Sequence, residues 1–79
     1  MHYVIVEKDG TFLAVARESR SRQAHYAAKR YRSAVLPGCP EGAHVTVFIG
    51  TKAELISRRP DAMQEIVASV RQLDAALAD

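Results

Sequence analysis

The dipeptide Asp9-Gly10 sits between two runs of β-branched and aromatic residues, and no other feature limits the fold as strongly. His2 to Lys8 form the first run and Thr11 to Arg17 the second. A two-residue turn that matches the twist of its strands needs positive φ at both central positions, which Asp-Gly tolerates. The pattern therefore predicts an N-terminal hairpin. In its first strand His2, Val4 and Val6 share one face and Tyr3, Ile5 and Glu7 the other. In its second, Thr11, Leu13 and Val15 oppose Phe12, Ala14 and Ala16. Both faces are largely apolar, so the sheet either lies between layers or leaves one face for a partner.

A polar connector, Glu18 to Ser21, follows. Ser19 or Ser21 is suited to cap a helix by accepting from an unpaired N–H. The helix is expected from Arg22 to Leu36, where Ala24, Ala27, Ala28, Tyr31 and Val35 recur at helical spacing. Arg22, Tyr26, Lys29 and Ser33 run down the opposite side, flanked by His25, Arg30 and Arg32. Pro37-Gly38 ends it, and Pro37 to Gly42 reads as a tight loop. Ala43 to Ile49 is the third strand. Residues 53 to 59 fit either an edge strand or one helical turn, and the strand is preferred because Arg59 precedes Pro60 and is pushed extended. The last helix opens at Pro60, with Asp61 and Glu65 near its positive end. Its inner side holds Met63, Ile66, Val67, Val70, Leu73 and Leu77.

The predicted fold class is α+β: a small antiparallel sheet of three or four strands with two helices packed on one face, in the order β-β-α-β-(β)-α. At 79 residues, the chain 1–79 is expected to be a single domain. No apolar run approaches the roughly 18 residues that span a bilayer. The N-terminus lacks the basic segment and cleavage site of a signal peptide. One cysteine excludes a disulfide framework and fits a reducing, cytoplasmic setting.

Candidate catalytic groups are sparse. The four glycines are scattered at turns, so no phosphate-cradling loop exists. A zinc site needs three or four ligands at suitable spacing, and His2, His25, His44 and Cys39 fall in different elements. A nucleophile at Cys39 needs a base and an oxyanion hole, and nothing orients nearby His44. The sequence is thus read as non-enzymatic, with no cofactor and no metal. Tyr3, Phe12 and Phe48 match the stacking platform of a single-stranded RNA reader in residue type alone; core packing accounts for them in so small a domain.

Charge is where the sequence points outward. The net charge is +2, but residues 17 to 32 carry Arg17, Arg20, Arg22, Lys29, Arg30 and Arg32 against Glu18 alone, a local +5. Residues 60 to 79 carry Asp61, Glu65, Asp74 and Asp79 against Arg71, a local −3. A charge run is usually a solvated face, but this one is denser than solubility requires. Arg17, Arg20, Arg22, Tyr26, Lys29, Arg30 and Arg32 are therefore the expected partner-binding residues. Arginine forks pair with carboxylates or phosphates, and Tyr26 adds a ring that can stack. A protein partner is the first expectation and nucleic acid the alternative. Monomer and homodimer both stay open.

Two resemblances bear on function. The hairpin Tyr3 to Ala16 is similar to the opening of HicB-type antitoxins, which continue into a Pro-Asp-Leu-Pro-Gly-Cys-like loop; here Leu36-Pro37-Gly38-Cys39 follows the helix instead of the second strand. The whole chain also resembles, in format, the small phage-encoded anti-CRISPR proteins that act on type I effector complexes. The shared features are size, the absence of a catalytic set, and a hairpin followed by the basic, alanine-rich helix Gln23-Ala24-His25-Tyr26-Ala27-Ala28-Lys29-Arg30-Tyr31. That resemblance implies a non-enzymatic inhibitor in the host cytoplasm that binds a subunit of a CRISPR surveillance complex and blocks target DNA binding. A small nucleic-acid-binding module and a HicB-like antitoxin are the alternatives.

Overall fold

In the computed structural model, which describes residues 1–39 and 44–78, the sheet has three antiparallel strands in the order β2-β1-β3. β1 (His2–Lys8) is central, β2 (Thr11–Glu18) and β3 (Val45–Gly50) lie on either side. The α+β class is as the sequence predicts. Asp9 and Gly10 both adopt positive φ, 51° and 83°, so the hairpin turn has the backbone that its dipeptide favours.

β1 is buried on both faces, with Val4 at 0% and Ile5 at 1% exposure. Two apolar faces need two covers, and the helices divide between them. α1 (Ser21–Ala34) packs Ala24 and Ala28 against Val4, with Val15, Ala16, Val47 and Ile49 around them. On the other face Tyr3, Ile5 and Ala14 meet Leu55, Ala62, Ile66 and Val70 from the C-terminal half of the chain. The expected placement of two helices on one face is therefore corrected to a sheet between helical layers. The apolar face considered for a partner is covered by α1.

Residues 53 to 59 are not a strand. Residues 53 to 58 belong to α2 (Lys52–Arg58), with Arg59 at its C-cap, and its cause is local. Thr51 Oγ1 accepts from the Glu54 backbone N–H at 3.2 Å, and the Glu54 carboxylate accepts from the Thr51 N–H and hydroxyl. This reciprocal cap satisfies donors that a helix start leaves unpaired. Leu55, at 2% exposure, then anchors the helix in the core. A 3-10 turn, Pro60–Ala62, leads into α3 (Met63–Leu77), so the α-helix begins three residues later than Pro60 predicts. Ile66 and Val70 are buried as expected, whereas Met63 and Leu77 are about half exposed. Ser69, which is not among the six residues of the predicted inner side, is also buried and donates to the Ile66 carbonyl.

α1 begins at Ser21 with Arg20 at the cap and no side-chain cap, so neither Ser19 nor Ser21 serves as one. It ends at Ala34, and Leu36–Gly38 forms a 3-10 turn. The expected loop residues Pro40, Glu41 and Gly42, and the expected strand residue Ala43, lie outside the described residues. Among the described residues no helix is long and apolar enough to cross a membrane.

Candidate functional site

α1 lies across all three strands, held down by its smallest residues. Ala24 and Ala28, four apart, are wholly buried, and Ala27 and Tyr31 are half-buried beside them. Short side chains at the contact let the helix axis approach the sheet. The opposite face must then point to water. Arg20, Arg22, Tyr26, Lys29, Arg30 and Arg32 are all exposed, and among the described residues none of these cations makes an ion pair. Tyr26 is 58% exposed between Arg22 and Arg30, four residues from each. Beside it, Glu18, Gln23, Tyr26, Lys29 and Arg30 line an open depression of about 330 Å³. Six of the seven expected residues thus lie on or just before one helix and face outward together.

Arg17 does not join them. The register between β1 and β2 shifts so that Val4 pairs with Ala16 but Ile5 with Ala14, leaving Val15 as an extra residue. Such a bulge reverses the face of everything beyond it. Val15 and Ala16 both reach the α1 layer, and Arg17 comes opposite Tyr3 on the α3 side. Its Nη1 donates to Asp74 Oδ1 at 2.8 Å. That guanidinium, and the hydrogen bond from Tyr3, hold the Asp74 carboxyl below its ordinary range. Arg17 is a scaffold residue.

The other ionised cluster is also scaffold. Arg59 Nη1 donates to Glu7 at 2.7 Å, and Nε and Nη2 donate to the two Asp61 oxygens at 3.2 and 3.1 Å. Its guanidinium lies over the Phe12 and Phe48 rings, 5.1 and 5.9 Å from their centroids. Hydrogen bonding from Arg59 depresses the Asp61 carboxyl, and both carboxylates push the Arg59 value up. Tyr3, Phe12 and Phe48 all pack into the layer beneath α2 and α3, which is core packing and not a stacking surface.

Among the described residues no three His, Cys, Asp or Glu side chains are grouped to hold a metal ion. His25 Nδ1 is 2.8 Å from the Ser21 carbonyl, which can only accept, so Nδ1 donates. The Cys39 thiol donates to the Val35 carbonyl at 3.7 Å. His44 uses its backbone N–H toward Asp9.

Sequence reasoning missed one feature. A groove of about 450 Å³ runs along β3 from Val47 to Gly50, between Ser21 and His25 of α1 on one side and Glu54 and Arg58 of α2 on the other, with His2 at its end. No spacing signals it, because it exists only once the two helical layers flank the strand. A scan against protein-family models finds no match, and no curated protein or solved structure matches the chain.

Proposed function

We propose that this chain is a non-enzymatic binding protein that seats the outer face of α1 on an acidic surface. In keeping with its resemblance to type I anti-CRISPR proteins, that surface belongs to a subunit of a CRISPR surveillance complex in the host cytoplasm, and occupancy blocks target DNA binding. One observation supports this reading above the rest: Arg22, Lys29, Arg30 and Arg32 are exposed on one helix, and among the described residues none of them makes an ion pair. A merely solvated face is usually laced with carboxylates of its own. Arginine and tyrosine are also the side chains that most often dominate interface energy.

The test is direct. Purified type I surveillance complexes are incubated with the protein, and target DNA binding is followed by gel shift. The wild-type chain is expected to abolish the shift at near-equimolar ratio. The doubly reversed variant R22E/K29E, altered only at exposed positions, is expected to fold normally and leave the shift intact. Undisturbed DNA binding by every complex at excess wild-type protein overturns the inhibitor reading.

A second reading is favoured by Tyr26 alone. An exposed ring between Arg22 and Arg30 suits a base stacked among phosphate contacts. Four or five such contacts would make affinity for generic DNA or RNA fall steeply with salt, with a log–log slope of about −3 to −4.5. No retardation of either at low salt removes this alternative.

A further inference from the structure

We propose that the open edge of β3 receives an extended acidic segment of a protein partner as a fourth strand, beneath the cationic flank of α1. The inference rests on the reading of α1 as a face for an acidic partner and adds how that partner is held.

The sheet has two outer strands, and they differ. β2 carries the bulge at Val15 and ends in Arg17-Glu18, devices that discourage pairing at an edge. β3 reads Val-Thr-Val-Phe-Ile-Gly, with no proline, bulge or charge. Among the described residues it pairs only with β1.

The direction of its free groups follows from the ladder. The Asp9 N–H donates to the His44 carbonyl, which makes the pair 9–44 a hydrogen-bonded one. Such pairs alternate in an antiparallel ladder, so Val47 and Ile49 turn their N–H and C=O away from β1. The Ile49 carbonyl confirms the phase, because it accepts from Arg58 Nη1 at 3.1 Å. A side chain fills one edge position there, and the Val47 and Ile49 N–H groups gain no protein partner from it.

The groove between α1 and α2 runs along this stretch and has room for an extended segment. Ser21 and His25 form its α1 wall. Arg32 lies seven residues beyond His25, on the same flank, with Lys29 in the next row out. Alternate side chains of an added strand would point toward that flank, so carboxylates are the complement. A second copy of this chain is the weaker occupant. Pairing β3 with β3 would set two α1 helices on one face of a continuous sheet, about three strand spacings or 14 Å apart. Their Arg32 and Lys29 flanks would then face each other.

The probe is an acetylated, amidated heptapeptide, Thr-Glu-Val-Glu-Val-Glu-Thr, titrated into the full-length protein and followed by amide NMR. The Val47 and Ile49 amides are expected to shift and to exchange more slowly with solvent. Replacing Glu by Lys in the peptide is expected to weaken binding about tenfold, the worth of two or three exposed ionic contacts. Methylating its alternate peptide nitrogens is expected to abolish binding. The protein variant H25E/R32E, exposed at both positions, is expected to prefer the Lys peptide. If the β3 amides stay silent while α1 amides move, strand addition is overturned and the α1 face stands. If Val47 and Ile49 are already protected in a peptide-free dimer, the second copy holds the edge and the proposal fails. Equal binding of the Glu and Lys peptides overturns the acidic assignment.

Discussion

Tyr3 and Arg17, cross-strand neighbours on β1 and β2, bind the same carboxylate. Arg17 Nη1 donates to Asp74 Oδ1 at 2.8 Å, and the Tyr3 hydroxyl donates to Oδ1 and Oδ2 at 3.1 and 3.0 Å. The contact ties the hairpin to α3 and exists only because the bulge turned Arg17 to that side. It removes one cation from the proposed docking face and leaves the others on or just before α1.

This carboxylate makes stability fall at both ends of the pH range. Hydrogen bonding from Arg17 and Tyr3 holds the folded Asp74 carboxyl below its ordinary 3.8. The contribution is complete above that value and lost as pH falls through the lower folded one. Burial, and the same carboxylate, raise the Tyr3 hydroxyl above its ordinary 10.0. Its contribution is complete below 10.0 and lost as pH rises through the higher folded value. Melting temperatures recorded across pH should therefore drop below about 4 and above about 10. Tyr3→Phe should remove its alkaline loss and cost about 1 kcal/mol at neutral pH, the usual worth of one hydrogen bond. An unchanged alkaline limb in that variant would assign the loss elsewhere.

Thr51→Ala should destabilise the protein by about 1 kcal/mol in urea denaturation, because it deletes the cap that starts α2. Thr51→Ser keeps an acceptor at the same place and should cost less. Equal losses from both would mean that the methyl group, not the hydroxyl, matters at this position.

That cap also marks a sequence signal that the preference for a strand over residues 53 to 59 passed over. The Thr51-x-x-Glu54 spacing is a helix-start signature, and the pair outweighs the extended bias that Pro60 imposes on Arg59 alone. The hairpin was readable because Asp9-Gly10 acts locally, and α1 because its alanines recur at helical spacing. The bulge was not, since no residue type requires it at Val15; it appears only when β2 must serve α1 and α3 on opposite faces. Arg17 was misassigned for that reason alone. The covering of both sheet faces was open in the sequence, because two apolar faces on β1 predict either two layers or a partner. The β3 groove depends on three elements meeting and had no sequence trace.

Gly10→Ala should cost about 1–2 kcal/mol, because φ of 83° places a Cβ in the left-handed region that side chains resist. No neighbouring atom stands within 4 Å of that Cβ, so the loss would be conformational and not steric. Asp9→Asn, at φ of 51°, should be neutral or slightly stabilising, as asparagine tolerates that conformation best after glycine. Thermal melts of the two variants check both signs. A Gly10→Ala variant as stable as wild type would mean that the turn relaxes to another type.

The outward cationic face of α1 depends on what lies under it, and Ala28→Leu probes that dependence. Ala28 is 0% exposed, wedged between α1 and the sheet beside Val4. Three added carbons have no vacancy there, so α1 must lift or tilt, at about 1–3 kcal/mol. Ser33→Leu, on the exposed side of the same helix, adds similar bulk and should stay within about 0.5 kcal/mol. Chemical denaturation of the pair separates packing from helix propensity, since leucine is a good helix former at both sites. If the two variants unfold at the same denaturant concentration, the alanine seam is not what sets the helix on the sheet.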